Sequence, residues 1–366
     1  MIELRGLRVH FPLRRSLGAA LRRRPVPQVR AVDGVDLSLS RGEIVALVGE
    51  SGSGKTTTGR AIARLAPISG GKLLIEDRDV TAIGGADLRA YRRRVQIIFQ
   101  DPYESLDPRR TVREQVEEPL SVQGIGAPAE RQERVDRALE DAGLRPAAAF
   151  ADRYPHELSG GQRQRVAIAS AMVLEPDVLV ADEPVSMLDV SLRSGILRVM
   201  LGLREKRGVG ILFITHDLSL AWLIADRIAV MYLGRIVEVG PAESLVAGPR
   251  HPYTKALLSV MPSPDPARRR QRAILHGETP DASRIPPGCR FHTRCPLIFD
   301  RCLTEDPPDF PVGDGHTAAC WLADGGAPLP PFPGTLEAAG GAVTTPADTD
   351  DARRPTERWP RGGHRA

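Results

Sequence analysis

A glycine-rich loop at residues 49–56 constrains the fold of this chain more than any other feature. The string Gly49-Glu-Ser-Gly-Ser-Gly-Lys-Thr56 fits the pattern G-x-x-x-x-G-K-[ST], in which backbone N–H groups surround phosphate. An apolar run at residues 44–48 precedes the loop, and a stretch typical of a helix follows at 56–65. A buried parallel strand that leads into such a loop and a helix predicts a mixed α/β core.

Further polar motifs follow the loop in a fixed order. They are Gln100, the string Leu158-Ser-Gly-Gly-Gln162, the pair Asp182-Glu183 after an apolar run, the string Ser186-Met-Leu-Asp189, and His216. Any one of these motifs alone is weak support for nucleotide binding. Together with the phosphate loop they make six motifs in series, which are not plausibly accidental. Asp182 ends an apolar strand, so its carboxylate is expected at the carboxyl edge of the sheet, where open α/β sheets bind ligands.

This set of motifs resembles the ATP-binding subunits of ABC (ATP-binding cassette) ATPases. The resemblance implies a P-loop NTPase cassette with a RecA-like core, an antiparallel β subdomain and an inserted helical subdomain. The helical subdomain is expected at about residues 101–172, where strand patterns give way to helical periodicity. ATP and Mg²⁺ are the implied cofactors, and ATP hydrolysis is the implied activity.

The predicted nucleotide-binding residues comprise the phosphate loop, the 159–162 string and Asp189. They are Gly49, Glu50, Ser51, Gly52, Ser53, Gly54, Lys55, Thr56, Thr57, Ser159, Gly160, Gly161, Gln162 and Asp189. Lys55 is expected to reach the β- and γ-phosphates. The Thr56 hydroxyl, Asp182 and Gln100 are the expected magnesium contacts.

Three residues are the predicted catalytic set. Glu183 follows the strand-ending aspartate and is placed to polarise the attacking water as a general base. Gln100 matches the glutamine that touches the metal and the water, and His216 matches the histidine that contacts the γ-phosphate. An intact set predicts a hydrolysing site, which disfavours a non-hydrolytic binding scaffold.

The 158–162 string is the motif most specific to the family. Ser159 can cap the helix that follows, which leaves free N–H groups for an anion. In the family this motif closes over the γ-phosphate bound by the opposite subunit, and Asp189 would connect the two sites. We therefore expect a dimer of cassettes, formed with a paralogous ATPase subunit or with a second copy of this chain.

The adenine contact is left open by the sequence. The family stacks an aromatic residue on adenine just before the second strand, but residues 27–30 read Pro-Gln-Val-Arg. Phe11 lies on the other side of an Arg- and Pro-rich insertion at residues 12–28. Arg30 and Val29 are the candidates for base stacking that this stretch offers.

Three more strings narrow the family. Residues 99–108 (FQDPYESLDP), 248–258 (GPRHPYTKALL) and 288–296 (GCRFHTRCP) look like those of oligopeptide/dipeptide importers, including nickel-type relatives. The long insertion and Asp-Pro-Tyr103 favour the second (F-type) of two paralogous ATPase subunits. The implied partners are two transmembrane permease subunits, received near Tyr103 and Ser105, and an extracytoplasmic peptide-binding protein. The implied location is the cytoplasmic face of the inner membrane.

Bulk properties fit this interpretation. The formal charge is +4 with a pI near 9.0, which is mild for 366 residues and does not favour a nucleic-acid partner. The longest apolar runs are far short of the roughly 20 residues that span a bilayer, and no signal peptide is apparent. The alternative is a soluble ABC ATPase of translation or DNA repair. Such proteins usually carry two cassettes or a long coiled-coil insertion, and this sequence has neither.

The four cysteines of the chain lie close together. Cys289, Cys295, Cys302 and Cys320 have the spacing C-x₅-C-x₆-C-x₁₇-C. In a reducing compartment this clustering favours metal over disulfides. Zn²⁺ and free or disulfide-bonded thiols stay open as alternatives to a [4Fe–4S] cluster, and the resemblance to importer ATPases implies the cluster, in a structural role.

The composition predicts three regions. Residues 1–247 form the ABC ATPase domain and residues 248–322 the cysteine-containing extension, while a disordered tail is expected at 323–366, which has few large apolar residues. Alternation at residues 2–11 suits an edge strand.

Overall fold

The chain was studied as a computed structural model that describes residues 1–13, 28–101, 105–261, 275 and 277–332. Most of the predicted insertion at 12–28, Tyr103, and the predicted tail beyond residue 332 lie outside these ranges. Among the described residues, no helix combines the length and apolar character needed to cross a membrane.

The strands of the described residues form two sheets. They are β1 (Ile2–Pro12), β2 (Gln28–Leu39), β3 (Ile44–Val48), β4 (Gly70–Ile75), β5 (Arg78–Asp79), β6 (Val95–Ile98), β7 (Val178–Asp182), β8 (Gly210–Thr215), β9 (Arg227–Tyr232), β10 (Arg235–Pro241), β11 (Phe310–Gly313) and β12 (His316–Ala318). The larger sheet has the order β11-β12-β10-β9-β3-β8-β7-β6, and the smaller one β2-β1-β4-β5.

Helices cover the faces of the larger sheet and form a separate group between β6 and β7. They are α1 (Lys55–Ile62), α2 (Gly85–Arg94), α3 (Val112–Gln123), α4 (Pro128–Asp141), α5 (Gly160–Met172), α6 (Val190–Arg207), α7 (Leu218–Ile224), α8 (Ala242–Ala247), α9 (Pro252–Ser259) and α10 (Asp300–Thr304). Short 3₁₀ turns lie at Ala147–Ala149, Pro155–Glu157, His292–Arg294 and Trp321–Gly326.

The centre of the larger sheet is parallel. β3 pairs in parallel with β8 and β9, and β7 pairs in parallel with β6 and β8. Every residue of β3, β7 and β8 is buried. Both faces of these strands are covered, so their sequences are continuous apolar runs without alternation. The predicted α/β cassette is confirmed, with the carboxyl ends of β3, β7 and β8 at one edge.

The prediction that residues 2–11 form an edge strand is wrong. β1 lies between β2 and β4, and Leu4 pairs with Leu37 on one side and with Leu73 on the other. Alternation reports that one face of a strand is buried, but it does not report how many neighbours the strand has. An interior strand of an antiparallel sheet therefore reads like an edge strand.

Between β6 and β7 the described residues contain helices α3, α4 and α5 and no strand, as expected of an inserted helical subdomain. Helix α3 begins with a capping box in which Thr111 and Glu114 satisfy each other's backbone N–H groups. The buried side chains of α3 and α4 belong to the same hydrophobic cluster as those of α5.

Residues beyond 248 continue the larger sheet instead of lying apart from it. β12 pairs with β10 through Glu238–Ala318 and Val239–Thr317, and β11 pairs with β12. Phe291 packs against Tyr232 and Tyr253 with ring centroids 5.2 and 5.4 Å apart, inside the main hydrophobic cluster. The cysteine-containing segment thus shares the core of the cassette.

Candidate nucleotide site

The phosphate loop lies between the end of β3 and the start of α1. Gly54 has a φ of 107°, and a Cβ there would lie 2.2 Å from the carbonyl oxygen of Ala31. A Cβ on Gly49 would lie 2.2 Å from the carbonyl oxygen of Met231. Both positions therefore require glycine, because the loop is pressed against β2 and β9. The close approach fixes the loop at the carboxyl edge of the sheet.

Lys55 folds back over the loop. Its Nζ donates to the carbonyl oxygens of Gly49 and Glu50, each at 2.8 Å. Burial lowers the pKa of Lys55, and the carboxylates of Glu183 and Asp182 oppose that shift. The ammonium group is thus held at the loop by carbonyls and by two nearby carboxylates.

Asp182 ends β7 as the sequence predicts and reaches the loop. Its Oδ1 accepts a hydrogen bond of 3.0 Å from the Thr56 hydroxyl. The side chain is buried, and burial raises the pKa of the carboxyl while the Thr56 hydrogen bond lowers it. A carboxylate and a hydroxyl oxygen side by side are ligands that suit Mg²⁺.

Glu183 brings the predicted catalytic residues together. Its Oε2 lies 3.2 Å from Gln100 Nε2 and 3.2 Å from His216 Nδ1. Its backbone is left-handed, with a φ of 47°, and its N–H donates to the Ile214 carbonyl on β8 at 2.9 Å. A left-handed conformation in a non-glycine residue costs free energy and occurs preferentially at functional sites.

The 159–162 string lies at the exposed start of α5. The Ser159 hydroxyl accepts from the Gln162 N–H at 3.3 Å, and Gln162 Oε1 accepts from the Ser159 N–H at 2.9 Å. Among the described residues, neither side chain has a hydrogen bond to the phosphate loop. Asp189 is exposed and precedes α6. The structure of a single chain therefore does not bring these residues into the cluster around Lys55.

The structure brings Phe11 close to the residues that were considered for adenine. Phe11 pairs with Val29 across the β1–β2 ladder, and its side chain is 38% exposed. Side chains directly opposite in a ladder lie on the same face of the sheet. The insertion separates Phe11 from Val29 in sequence but not in space, so an exposed aromatic ring lies next to this strand.

Glu50 has contacts that the loop motif did not predict. Its carboxylate accepts hydrogen bonds from Arg294 and from the Thr279 hydroxyl, and its N–H donates to Tyr253 Oη. Burial raises the pKa of the Glu50 carboxyl, but Arg294 and Thr279 bring it below its ordinary value. No spacing in the sequence relates residue 50 to residues 253–294.

The four cysteines are free and line one small cavity, together with Phe291, Leu297 and other side chains. Burial raises the pKa of the Cys289 thiol to about 11, and the pKa values of Cys295 and Cys320 to about 12. In the part of the chain that the structure describes, no group of three or more His, Cys, Asp or Glu is arranged to hold a metal ion. The predicted cluster therefore has no direct support from this geometry.

Fold and site together define a P-loop ATPase of the ABC type. The family model for ABC transporters matches residues 32–186, and the model for the oligopeptide/dipeptide transporter C-terminal region matches residues 237–302. The dimeric structure of a post-hydrolysis state of the ATP-binding cassette MJ0796, bound to ADP and Pi, has a TM-score of 0.57 and 29% identity. The match covers 66% of this chain and 99% of that one.

Curated relatives give the narrower family. A putative peptide import ATP-binding protein of Brucella ovis is 46% identical over 320 residues, which is 87% of this chain and 97% of that protein. The oligopeptide transport ATP-binding protein AppF of Bacillus subtilis is 42% identical over 325 residues, 88% of this chain and 97% of that protein. The chain belongs to the ATP-binding subunits of the oligopeptide/dipeptide ABC transporter family, and its activity is ATP hydrolysis coupled to transport.

Proposed function

We propose that this chain hydrolyses ATP to power the import of di- or oligopeptides through a membrane permease. The observation that carries the proposal is the convergence of Lys55, the Thr56–Asp182 pair and the Glu183 cluster at one edge of the sheet. The names of the relatives, peptide import and oligopeptide transport ATP-binding proteins, support the substrate class. They do not support the alternative in translation or DNA repair.

The phosphate loop would bind the β- and γ-phosphates. Lys55 exchanges its loop carbonyls for phosphate oxygens, and the backbone N–H groups at the start of α1 add favourable dipole charge. Thr56, Asp182 and Gln100 are the residues that would hold Mg²⁺, which neutralises phosphate charge when bound. Their oxygen atoms fit that ion.

Glu183 would accept the proton of the attacking water. Gln100 Nε2 and His216 Nδ1 both lie 3.2 Å from its Oε2, and they would orient the water and the γ-phosphate. His216 is 59% exposed, so it is free to turn toward a bound nucleotide.

The complete site would require two cassettes. The N-terminus of α5, with exposed Ser159 followed by Gly160, Gly161 and Gln162, would close over the γ-phosphate of the partner, and Asp189 would connect the two sites. The relative MJ0796 was solved as a dimer. The partner is a paralogous ATPase subunit or a second copy of this chain.

The other proposed partners are two transmembrane permease subunits and, through them, an extracytoplasmic peptide-binding protein. The helical segment near Ser105 would receive the permeases at the cytoplasmic face of the inner membrane. No role in nucleic-acid binding is proposed. The boundaries 1–247, 248–322 and 323–366 also stay predictions.

A [4Fe–4S] cluster on Cys289, Cys295, Cys302 and Cys320, with Zn²⁺ as the alternative, stays part of the proposal. Its support is the chemistry of the donor set, since four free thiols line one cavity. Either group would cross-link the extension when bound. Iron, sulfide and zinc analysis of anaerobically purified protein distinguishes the two groups. About four irons per chain supports the cluster, and one zinc per chain overturns the cluster in favour of Zn²⁺.

Phe11 is the proposed adenine contact. Its ring is exposed and lies opposite Val29 in the β1–β2 ladder. Ala31, two residues after Val29, has its carbonyl packed against Gly54 of the phosphate loop. An exposed aromatic ring can stack on a base.

Reconstitution tests the function as a whole. The complex with its permeases is placed in vesicles, and ATP hydrolysis is measured with peptides of increasing length, with nickel chelates and without ligand. Stimulation by peptides supports the proposal. Stimulation by a nickel chelate alone would contradict the substrate class while leaving the ATPase assignment intact.

A further inference from the structure

In the part of the chain that the structure describes, side chains of the extension contact the phosphate loop at Glu50. Arg294 binds the Glu50 carboxylate with both guanidinium branches, Nη1 to Oε2 at 2.7 Å and Nη2 to Oε1 at 3.2 Å. The Thr279 hydroxyl donates to the same Oε2 at 2.7 Å, and Tyr253 Oη accepts from the Glu50 N–H at 2.8 Å. All three partners lie beyond residue 248, outside the motifs of the cassette.

These contacts are partly buried, and the backbone of Arg294 is held by hydrogen bonds. The Arg294 side chain is only 8% exposed, and its guanidinium lies 5.9 Å from the centre of the Tyr232 ring. Arg294 ends the 3₁₀ turn His292–Arg294, whose backbone is held by hydrogen bonds to Cys289 and Phe291. Planar two-branched pairing fixes orientation as well as distance, which a lysine cannot reproduce.

Glu50 connects these contacts to the phosphate-binding lysine. The carbonyl of Glu50 accepts from Lys55 Nζ at 2.8 Å, and the carbonyl of Gly49 accepts from the same Nζ at 2.8 Å. A shift of Glu50 therefore moves both the loop backbone and the resting place of the Lys55 ammonium.

We infer that Arg294 is a positioning residue of the nucleotide site, which holds the phosphate loop in its binding shape through Glu50. The extension is thus part of the ATP-binding machinery as well as an addition to the fold. The inference rests on the proposed ATP-binding role of the loop. Binding is reciprocal, so nucleotide on the loop should in turn order the segment around Thr279 and Arg294.

A matched variant of the same extension separates positioning from simple stability. Arg290 is similarly buried and pairs with Asp33 of β2 at 2.6 Å, so its charge partner lies outside the phosphate loop. Arg290→Met and Arg294→Met each remove one partly buried ion pair between extension and cassette. Only Arg294→Met removes the contact with Glu50.

The experiment uses the full chain, with MgATP binding followed by titration of a fluorescent ATP analogue and thermal unfolding followed in parallel. We expect Arg294→Met to weaken nucleotide binding about tenfold, the effect of roughly one charge-assisted contact. Arg290→Met should lower the melting temperature to a similar degree with unchanged affinity. Equal affinities of both variants and the wild type would overturn the inference.

Milder variants cover the case in which Arg294→Met does not fold. Arg294→Lys keeps the charge and loses the two-branched geometry, and Glu50→Gln keeps the backbone contacts and loses the charge. Both variants should weaken nucleotide binding by several-fold. Amide exchange at residues 277–294 should slow on addition of MgATP in the wild type but not in Glu50→Gln. Nucleotide-independent exchange in the wild type would contradict the coupling, whereas a wild type that binds no ATP would contradict the proposed function instead.

Discussion

Replacement of Glu183 by glutamine isolates the chemical step from the structure of the site. Glutamine keeps the shape of the side chain, and with its Oε1 where Glu183 Oε2 now lies it can still accept from Gln100 Nε2 and from His216 in the Nδ1–H tautomer. The backbone at a φ of 47° carries the same strain in both residues. Fold and nucleotide binding should therefore be preserved, and only the ability to accept a proton is lost.

The size of the effect follows from that role. A positioned general base contributes about 10²–10⁴-fold to a rate, which corresponds to about 3–5 kcal/mol of the activation barrier. Phosphate release by the Glu183→Gln complex at saturating MgATP should fall by that factor. Size-exclusion chromatography with MgATP should then show a trapped cassette dimer, because the bound ATP is not consumed.

A matched control is Glu133→Gln, which removes the same charge from an exposed position on α4 and should leave turnover unchanged. Turnover of Glu183→Gln above about a tenth of the wild-type rate would refute the general-base role. A loss of less than about tenfold is smaller than the loss expected when such a group is removed.

Three further predictions concern the sharing of sites between two cassettes, the adenine contact and the dependence of stability on pH. Mixed dimers of a Ser159→Arg chain and a Lys55→Ala chain should hydrolyse ATP faster than either parent, since one shared site keeps both groups; less activity than both parents would argue against sharing in trans. Phe11→Ala should weaken ATP binding about tenfold by loss of base stacking, whereas Leu13→Ala should not; equal affinities would remove Phe11 from the site. Burial lowers the pKa of His251 to about 3 from 6.5, so its contribution to stability is complete above pH 6.5 and is lost as pH falls. Each unit below pH 6.5 should cost about 1.4 kcal/mol in urea unfolding, and a His251→Asn variant with the same slope would contradict this.

The polar centre of the site was predictable because its residues stand at strand ends. A buried parallel strand must deliver its last residue to the carboxyl edge of the sheet, so the apolar runs before the phosphate loop, Asp182 and His216 place all three at this edge. The order of these residues in the sequence also indicates the family to which the chain belongs. The distances between them, and the meeting of Gln100 with Glu183, needed the folded chain.

Contacts between distant segments were not predictable from the sequence. In the sequence an insertion separates Phe11 from Val29. In the fold, β1 before the insertion pairs with β2 after it, which places the two residues opposite each other. Glu50 looked like an ordinary loop residue, because nothing in the spacing of the chain relates it to Arg294. β11 and β12 are only four and three residues long, and Pro311 weakens the strand signal further.

The position of β12 has a consequence for how this protein can be shortened. β12 occupies the side of β10 that β9 leaves free, and β11 follows it. A chain ended at residue 247 would expose unpaired N–H and C=O groups along β10, which form a template for pairing with another chain. Such a fragment should self-associate during refolding even though all of its ATP-binding motifs are present.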